Sequence, residues 1–288
     1  MKGLLLVNGY LNSEKFNNFY SFIMDSFLKE GIELVIKTNI ELTRIINEKI
    51  KLDEKPDFIL FFDKDVTLAR RLELEGYKVF NSSSAIEICD DKALTHLELI
   101  NNPKIKMPKT LILPFSYKKE LINVNFVLNN GFSYPFIVKE RKGSFGEQVY
   151  LVYSEDDWNK IITETSSSLL VQEYISYRYH EDVRIHVVNN EVVSFVKRIG
   201  KDNDFRANVT NGGHMEVYDL PSSFIEMAIE VSKTLKLDFA GLDFLFDEFD
   251  NPIFLEANSN AHFVNIYKTN GVNVATYMAK YIKNTLKK

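Results

Sequence analysis

Two carboxylates and an amide lie on neighbouring apolar segments near the C-terminal end of the chain. Asp243 lies within the string GLDFL, and Glu256 and Asn258 follow the string IFL. The turn-like stretch 247–252 between them predicts a hairpin, in which alternation places Glu256 and Asn258 on the same face. Hard oxygen ligands of this kind suit Mg²⁺ that also binds nucleotide phosphates. The alternative is a strand with solvated acids, although an unpaired charge among apolar neighbours is costly.

A second segment combines cations with glycines. Lys139 and two further cations follow an apolar segment and lead into the string GSFG at residues 143–146. Glycine lets backbone N–H groups approach phosphate oxygens, and lysine supplies positive charge. The segment is not a Walker loop, because the pattern G-x-x-x-x-G-K-[ST] is absent from the sequence. The alternative is an ordinary hairpin turn rich in lysine and glycine.

A third group is basic. Arg184, Lys197, Arg198 and Arg206 lie on or just after the two predicted strands that precede the acids. Arginine near a magnesium–phosphate site neutralises charge on a phosphoryl group during its transfer. The alternative for each arginine is a solvated strand edge. The sequence pattern leaves both interpretations open for each arginine.

The elements that position these residues change in character along the chain. The first 80 residues alternate between strands and helices, which predicts a parallel, doubly wound α/β sheet. No G-x-G-x-x-G occurs there, so a dinucleotide is not indicated. The rest of the chain predicts an α+β arrangement. The predicted strands are 4–7, 32–36, 57–62, 77–80, 136–140, 148–153, 183–188, 192–199, 240–246 and 252–257, and the predicted helices include 12–30, 40–50, 91–99, 155–164, 222–235 and 272–283.

Composition excludes several classes of function. The 288 residues include 35 basic and 40 acidic side chains, and the net charge of −5 argues against a nucleic-acid partner. No apolar run approaches the roughly 18 residues that span a bilayer, so no membrane partner is expected. Cys89 is the one cysteine, which rules out an intramolecular disulfide. A reduced, cytoplasmic protein is therefore the expectation.

The order of these segments resembles the ATP-grasp superfamily. Within it, the chain looks most like the family of ribosomal-protein S6 glutamate ligase and the LysX-type ligases of lysine biosynthesis. The resemblance runs from about Asn81 to the C-terminus. It is carried by the strings NSSSAIEICDDKALTHLEL, PFIVKERKGSFGEQV, LLVQEYI, EDVRIHVVNNEVVSFVKR, DFRANVTNGG, GLDFLFD and FLEANSN.

The resemblance implies a domain organisation and a set of ligands. It implies an N-terminal αβ domain at 1–88 and a two-lobed ATP-grasp domain at 89–288. Within the latter, a small lid lobe would cover about 105–175 and a large metal-binding lobe 176–288. The implied cofactors are ATP and Mg²⁺, with Mn²⁺ as an alternative metal.

The resemblance also implies a role for individual residues. The residues implied to bind ATP are Lys92 and Lys139 at the phosphates, Gly143, Ser144, Phe145 and Gly146 in a closing flap, Gln172, Glu173, Tyr174 and Ile175 in the adenine hinge, Asp182 at the ribose and Asn208 beside the triphosphate. The implied metal ligands are Asp243, Glu256 and Asn258. The implied catalytic arginines are Arg206 at the triphosphate, and Arg184 and Arg198 near the acyl phosphate or the acceptor.

The implied activity is that of an ATP-dependent carboxylate–amine ligase that forms an acyl phosphate. Because a guanidinium fork binds a carboxylate bidentately, Arg184 and Arg198 predict an acidic amino acid or an acidic peptide end as one co-substrate. The alternatives are an ATP-grasp phosphotransferase and a non-catalytic nucleotide-binding protein. The oligomeric state is left open, with a homo-oligomer as one alternative because such families often form them.

The acceptor is left open by a departure from the S6-ligase pattern. That type continues past the metal asparagine with a Ser-Pro-Gly-like stretch, whereas this chain has SNAHF and an ending closer to the LysX type. A free amino acid, a peptide and the C-terminus of a carrier protein all remain candidates. His214 and His262 lie beside the site segments and are candidates for a substrate contact, with surface or packing roles as the alternative.

Overall fold

A computed structural model of the chain describes residues 1–118, 121–143, 148–165, 168–201 and 212–287. The first sheet consists of β1 (Lys2–Val7), β2 (Glu33–Thr38), β3 (Phe58–Phe62) and β4 (Val79–Phe80), with helices α1 (Glu14–Lys29), α2 (Asn39–Leu42) and α3 (Val66–Leu74) between the strands. The strands are all parallel and lie in the order β2-β1-β3-β4. The predicted parallel sheet is therefore confirmed.

The central strand β1 is covered on both faces. Leu5 and Val7 belong to a core that includes residues of α1 and of the last helix, α10 (Val274–Leu286). Leu4 and Leu6 point the other way, into a core that includes residues of α3. Double burial explains why β1 is apolar at successive positions rather than at alternate ones.

One predicted helix is mostly wrong. The helix expected over 40–50 ends at Leu42, and Thr43 is already extended, with φ −64° and ψ 128°. The Arg71 guanidinium donates hydrogen bonds to the carbonyl oxygens of Arg44 at 2.9 Å and Ile45 at 3.2 Å. These bonds satisfy backbone acceptors from outside the segment, which a continued helix would have satisfied internally.

Two helices and a second sheet follow. Helices α4 (Ser83–Asp90) and α5 (Lys92–Leu99) precede β5 (Thr110–Ile112), α6 (Val124–Asn129), β6 (Phe136–Glu140), β7 (Val149–Val152), α7 (Glu155–Glu164) and β8 (Leu169–Glu173). Ser82 caps α4 by accepting a hydrogen bond from the Ala85 amide. The second sheet is antiparallel, in the order β5-β8-β6-β7, and α6 and α7 contribute to its core.

The third sheet carries the predicted acids and arginines. It consists of β9 (Glu181–Val188), β10 (Glu191–Ile199), β11 (His214–Glu216), β12 (Phe239–Phe246) and β13 (Pro252–Asn258), with α8 (Ser222–Thr234) before β12 and α9 (Val264–Asn270) before α10. Its order is β11-β10-β9-β12-β13, with antiparallel neighbours. Val183, Ile185 and Val187 of β9 belong to a core with residues of α8. The alternate residues of β9 therefore face the other side of the sheet.

A fully buried asparagine ties the first sheet to the third. Asn81 follows β4, and its Nδ2 donates to the carbonyl oxygens of Phe239 at 2.8 Å and Ser259 at 3.1 Å. Its Oδ1 accepts from the Asp238 amide at 2.8 Å. The division into units at 1–88, 105–175 and 176–288 stays a prediction. Across the described ranges, no helix is both long and apolar enough to span a bilayer.

Asp238, which lies where the first and third sheets meet, permits a test of how a buried carboxyl group affects the free energy of unfolding. Burial raises the pKa of Asp238 from 3.8 to about 6, although the Tyr281 hydroxyl, which donates to Oδ1 at 2.6 Å, partly opposes the rise. The folded protein thus holds this proton more tightly than the unfolded chain, so stability falls as pH rises from about 4 to about 6. Asp238→Asn should remove that loss, which is on the order of 3 kcal/mol.

The measurement is urea unfolding of wild type and Asp238→Asn at pH 4 and pH 8. The variant should gain stability relative to wild type on going to pH 8. Asp25→Asn, on the exposed surface of α1, is the matched control and should follow wild type. An identical pH dependence in wild type and Asp238→Asn would contradict the assignment.

Candidate active site

A cavity of about 770 Å³ is lined by residues from all three sheets and the segments that follow their strands. Lys139 and Gln172 reach it from the second sheet, and Arg184 and Asp243 from the third. Phe62, at the end of β3, lines it from the first sheet. The cavity therefore brings together most of the described residues that the sequence singles out.

Register places three of the predicted residues in one row across the third sheet. Asp243 of β12 lies opposite Arg184 of β9 on one side and opposite Glu256 of β13 on the other. The predicted hairpin between β12 and β13 is confirmed. An irregularity just after this row, where Phe244 pairs with Phe254, accommodates Leu255 as an extra residue.

Asp243 is at the centre of a buried cluster of two aspartates and two arginines. Its carboxylate accepts from Arg184 Nη2 at 2.6 Å and from Arg184 Nε, and Arg198 Nη2 lies 3.1 Å from its Oδ2. Arg198 also forms a bidentate pair with Asp182, with Nε at 2.6 Å from Oδ1. Burial alone would raise the pKa of Asp243, but the two arginines hold it below its usual value. The cluster as a whole is neutral.

The ion pairs of this cluster occupy the side-chain atoms that were predicted to contact ligands. Asp182, Arg184 and Arg198 all line the cavity. The sequence analysis expects Asp182 at a ribose, yet both Asp182 oxygens accept hydrogen bonds from Arg198. It expects the arginines to meet a substrate carboxylate, yet each is already paired with aspartate. These roles stay predictions, and each would require the cluster to exchange partners when ligands bind.

The oxygen donors of Asp243, Glu256 and Asn258 on β12 and β13 are of the kind that binds a magnesium ion. Asn258 Nδ2 donates to Glu256 Oε1 at 2.9 Å, so the amide and the carboxylate lie side by side on β13. Two carboxylates and an amide oxygen are hard ligands, and Mg²⁺ in proteins commonly retains water and phosphate oxygens as further ligands. Over the described ranges, no three histidine, cysteine, aspartate or glutamate side chains are grouped to hold a metal. Asp243, Glu256 and Asn258 stay the predicted metal ligands.

The two predicted phosphate lysines approach from the second sheet and α5. Lys139 is 7% exposed, and burial lowers its pKa to about 8, while Glu256 raises it and Lys92 lowers it further. Lys92 begins α5 and lines a small adjoining pocket with Glu256 and Asn258. The Lys92 amide donates to the Arg141 carbonyl oxygen at 2.9 Å. This bond fixes the start of α5 beside the end of β6, where Lys139 lies.

The predicted hinge runs along the end of β8. The buried Gln172 side chain donates to Thr110 Oγ1 at 3.0 Å, and Glu173 Oε1 accepts from the Lys109 amide at 2.8 Å. Both side chains are thus used within the protein. Tyr174 and Ile175 follow and line the cavity. An adenine contact through the backbone of this segment stays a prediction.

Five of the predicted site residues lie outside the described ranges. They are Ser144, Phe145 and Gly146 of the predicted flap, together with Arg206 and Asn208. Gly143 is described, and its carbonyl oxygen accepts from Lys64 Nζ at 3.3 Å.

Sequence reasoning missed the contribution of the first 80 residues to the cavity. Asn8 follows β1 and Asp63 and Lys64 follow β3, and all three line the cavity. The available signal was the polar residue immediately after each apolar strand, because ligands bind beyond the carboxyl ends of parallel strands. His262, a predicted candidate for a substrate contact, also lines the cavity and stacks on Phe19 with ring centroids 4.1 Å apart.

Comparisons with known proteins identify the family to which this sequence is similar. A family model described as RimK-like ATP-grasp domain matches residues 89–282. An uncharacterized protein MG012 homolog of Mycoplasma pneumoniae is 38% identical over 218 residues, which cover 74% of this chain and 75% of that protein. A probable alpha-L-glutamate ligase of an Enterobacter species is 33% identical over 217 residues, which cover 74% of this chain and 70% of that protein.

A solved structure extends the comparison to the whole chain. The RimK domain protein ATP-grasp from Sphaerobacter thermophilus superposes with a TM-score of 0.73 at 18% identity, covering 98% of this chain and 100% of that one. At this identity the likeness bears on the fold alone. It confirms the fold class predicted from the sequence.

Proposed function

The chain belongs to the RimK-like ATP-grasp family of carboxylate–amine ligases, and we propose that it forms an amide bond to an acidic amino acid through an acyl phosphate. The observation that carries the proposal is the meeting of Asp243, Glu256 and Lys139 at one cavity. Two carboxylates can hold a divalent ion there, and the buried lysine can meet the phosphates that the ion binds.

The reaction follows from the weak electrophilicity of a carboxylate. A carboxylate oxygen attacks the γ-phosphorus of ATP, the bond to the β-phosphate oxygen breaks, and ADP leaves. The amine then attacks the acyl carbon, phosphate departs and the nitrogen loses a proton. Bound Mg²⁺ would supply charge neutralisation at the phosphates. The protein's contribution is to position both co-substrates and to exclude water from the acyl phosphate.

Different residues are proposed to bind the phosphates, the metal and the co-substrate. Lys139 presents a cation from a buried position, where its charge acts in a medium of low polarity. Lys92 presents a second one from the start of α5. Asp243, Glu256 and Asn258 would hold the metal, and Asp243 would have to give up its arginine partners to do so. The Arg184 guanidinium fork would then be free to bind a carboxylate or an acyl phosphate.

The acidic co-substrate is proposed on two grounds. One is the Arg184 fork after that exchange. The other is the relatives named probable alpha-L-glutamate ligase, which are 33% and 31% identical to this chain. The candidates for the acceptor are free amino acids, peptides and the C-terminus of a carrier protein. We further propose residues 1–88 and 89–288 as the two domains of the enzyme and Mn²⁺ as a substitute for Mg²⁺.

A screen of ADP release tests the proposal. The protein is incubated with ATP, Mg²⁺ and amino acids, singly and in pairs that include glutamate, and products are identified by mass spectrometry. Sustained release should need both co-substrates, with a product equal in mass to their sum less one water. Glu256→Gln protein, prepared in the same way, measures contaminating ATPase. Sustained ADP release with a single co-substrate and a phosphorylated product would instead identify a phosphotransferase.

A further inference from the structure

The first sheet offers a binding crevice of its own at the cavity. The chain runs from β1 outward to β2 and then crosses back to β3 on the other side of β1. In open α/β sheets, ligands bind beyond the carboxyl ends of the strands at such a reversal. Asn8 and Asp63 are the residues that directly follow β1 and β3, and Asn8 Nδ2 donates to Asp63 Oδ1 at 3.0 Å. Both residues line the same cavity as the predicted metal ligands.

Asp63 has a buried carboxylate, and one of its two oxygens has no hydrogen-bond donor within the described ranges. It is 5% exposed, and its Oδ1 accepts from Asn8 Nδ2 and from the Lys64 amide at 2.7 Å. Its Oδ2 is buried and, within the described ranges, accepts no hydrogen bond. Burial raises the pKa of Asp63, and Asn8, the Lys64 amide and, more weakly, Asn39 offset part of that rise. A buried carboxylate oxygen without a donor is costly, so the fold retains an acceptor here that a ligand could satisfy.

Neighbouring side chains do not supply the missing cation. Lys64 Nζ lies 3.2 Å from Asp90 Oδ1 and donates to the Gly143 carbonyl oxygen, away from Asp63. Lys15 also lines the cavity, but it forms no ion pair with Asp63 in the described structure. The negative charge of Asp63 is thus without a cationic partner in the described part of the protein.

Another residue that lines the cavity also has an unused polar atom. His262 Nε2 is buried and has no hydrogen-bond partner in the described structure. Burial lowers the pKa of His262 to about 4, so the ring is neutral at pH 7 and adds no competing charge. Phe19, stacked on His262, supplies an apolar wall. An anionic carboxylate and a neutral imidazole beside an aromatic wall suit a compact cationic group with several N–H donors.

We propose that Asp63 binds the ammonium group of the amino-acid co-substrate before that nitrogen is deprotonated for attack, so that the crevice of the first sheet selects co-substrates with a free amino group. The inference rests on the proposed function for the identity of the co-substrate. It assigns specificity to a region outside residues 89–282, which the family model matches. The third sheet would then bind the carboxylate end of the co-substrate, and the first sheet would bind its amino end.

The experiment compares L-glutamate with glutarate, which differs by lacking the amino group. Affinities are measured by calorimetry on the full-length protein with Mg²⁺ and a non-hydrolysable ATP analogue. Wild type should bind L-glutamate at least about tenfold more tightly than glutarate, since glutarate cannot form the charge-assisted hydrogen bond to Asp63. Asp63→Asn should reduce that ratio to within about twofold, with affinity for the ATP analogue unchanged.

Two further variants make the result specific. Asp57→Asn changes the same chemical group before β3, at the opposite end of that strand, where Asp57 Oδ2 accepts from the Lys2 amide. It should keep the wild-type preference. Asn8→Ala leaves the charge but removes a donor that orients it, and should weaken the preference less than Asp63→Asn does. If Asp63→Asn fails to fold, Asn8→Ala still tests whether this crevice determines the preference for L-glutamate over glutarate.

Stability separates a ligand-binding role from a structural one. Asp63→Asn removes a charge whose burial is only partly offset, so its melting temperature should equal or exceed that of wild type. A marked loss of stability together with an unchanged preference would overturn the proposal. So would equal affinity of wild type for L-glutamate and glutarate, or binding of neither. If ligation proceeds in the screen without that preference, only this inference fails. If the preference is found but no amide forms, the proposed function fails instead.

Discussion

Replacing Glu256 by glutamine should lower the rate of amino-acid-dependent ADP release on the order of a thousandfold at ordinary magnesium concentrations. The substitution removes one of two carboxylates from the proposed metal site and keeps the shape of the side chain. The hydrogen bond that Glu256 Oε1 accepts from Asn258 can be accepted equally by an amide oxygen. The free energy of unfolding should therefore change by less than about 1 kcal/mol.

Asp243→Asn should abolish turnover too, but with a different effect on the fold. Arg184 and Arg198 are both largely buried and both pair with Asp243. Removing its charge leaves two buried guanidinium groups with one aspartate, and breaking a buried pair in this way costs about 3 to 5 kcal/mol. Of the two acids, only Glu256 should therefore be removable without harm to the fold.

The measurements are initial rates of ADP release and urea unfolding for both variants. Glu191→Gln, at the exposed start of β10, is the matched control and should match wild type in both. Wild-type turnover by Glu256→Gln would exclude Glu256 as a metal ligand. Loss of turnover accompanied by a large loss of stability would leave its role in catalysis unsupported.

Long apolar segments bounded by turns predict the site strands closely. β6 and α7 have the predicted bounds, and β9, β10, β12 and β13 differ from prediction by one or two residues. Short elements such as α6 and α9 were missed, because six or seven residues give too few turns to establish a helical period. Local pattern therefore identifies long elements and fails for short ones.

The partners of the site residues could not be predicted in the same way. Arg184 and Asp243 are 59 residues apart in sequence, and they meet because β9 and β12 pair in one particular register. A shift of one residue would send their side chains to opposite faces. The sequence therefore identifies which charges belong to the site, whereas only the register shows that they neutralise one another. The role of Asp63 depends in the same way on the order of strands in the first sheet.

The second large effect concerns the buried cation of the second sheet. Lys139→Met should weaken ATP binding about a hundredfold, because truncating one member of a buried, charged contact costs about 2 to 5 kcal/mol of affinity. Methionine retains most of the apolar stem, so the loss reports the charge. The measurement is calorimetric titration with a non-hydrolysable ATP analogue and Mg²⁺.

Although Lys139→Met should weaken ATP binding, it should not lower the stability of the nucleotide-free protein. Burial lowers the pKa of Lys139 to about 8, so the folded protein holds this proton less tightly than the unfolded chain. The resulting penalty is fully present below pH 8 and disappears as pH rises through the unfolded value of about 10.5. At pH 7, Lys139→Met should therefore be at least as stable as wild type, while Lys160→Met, on the exposed surface of α7, should leave both stability and ATP affinity unchanged. If Lys139→Met binds the ATP analogue as wild type does, the nucleotide phosphates lie elsewhere than at the end of β6.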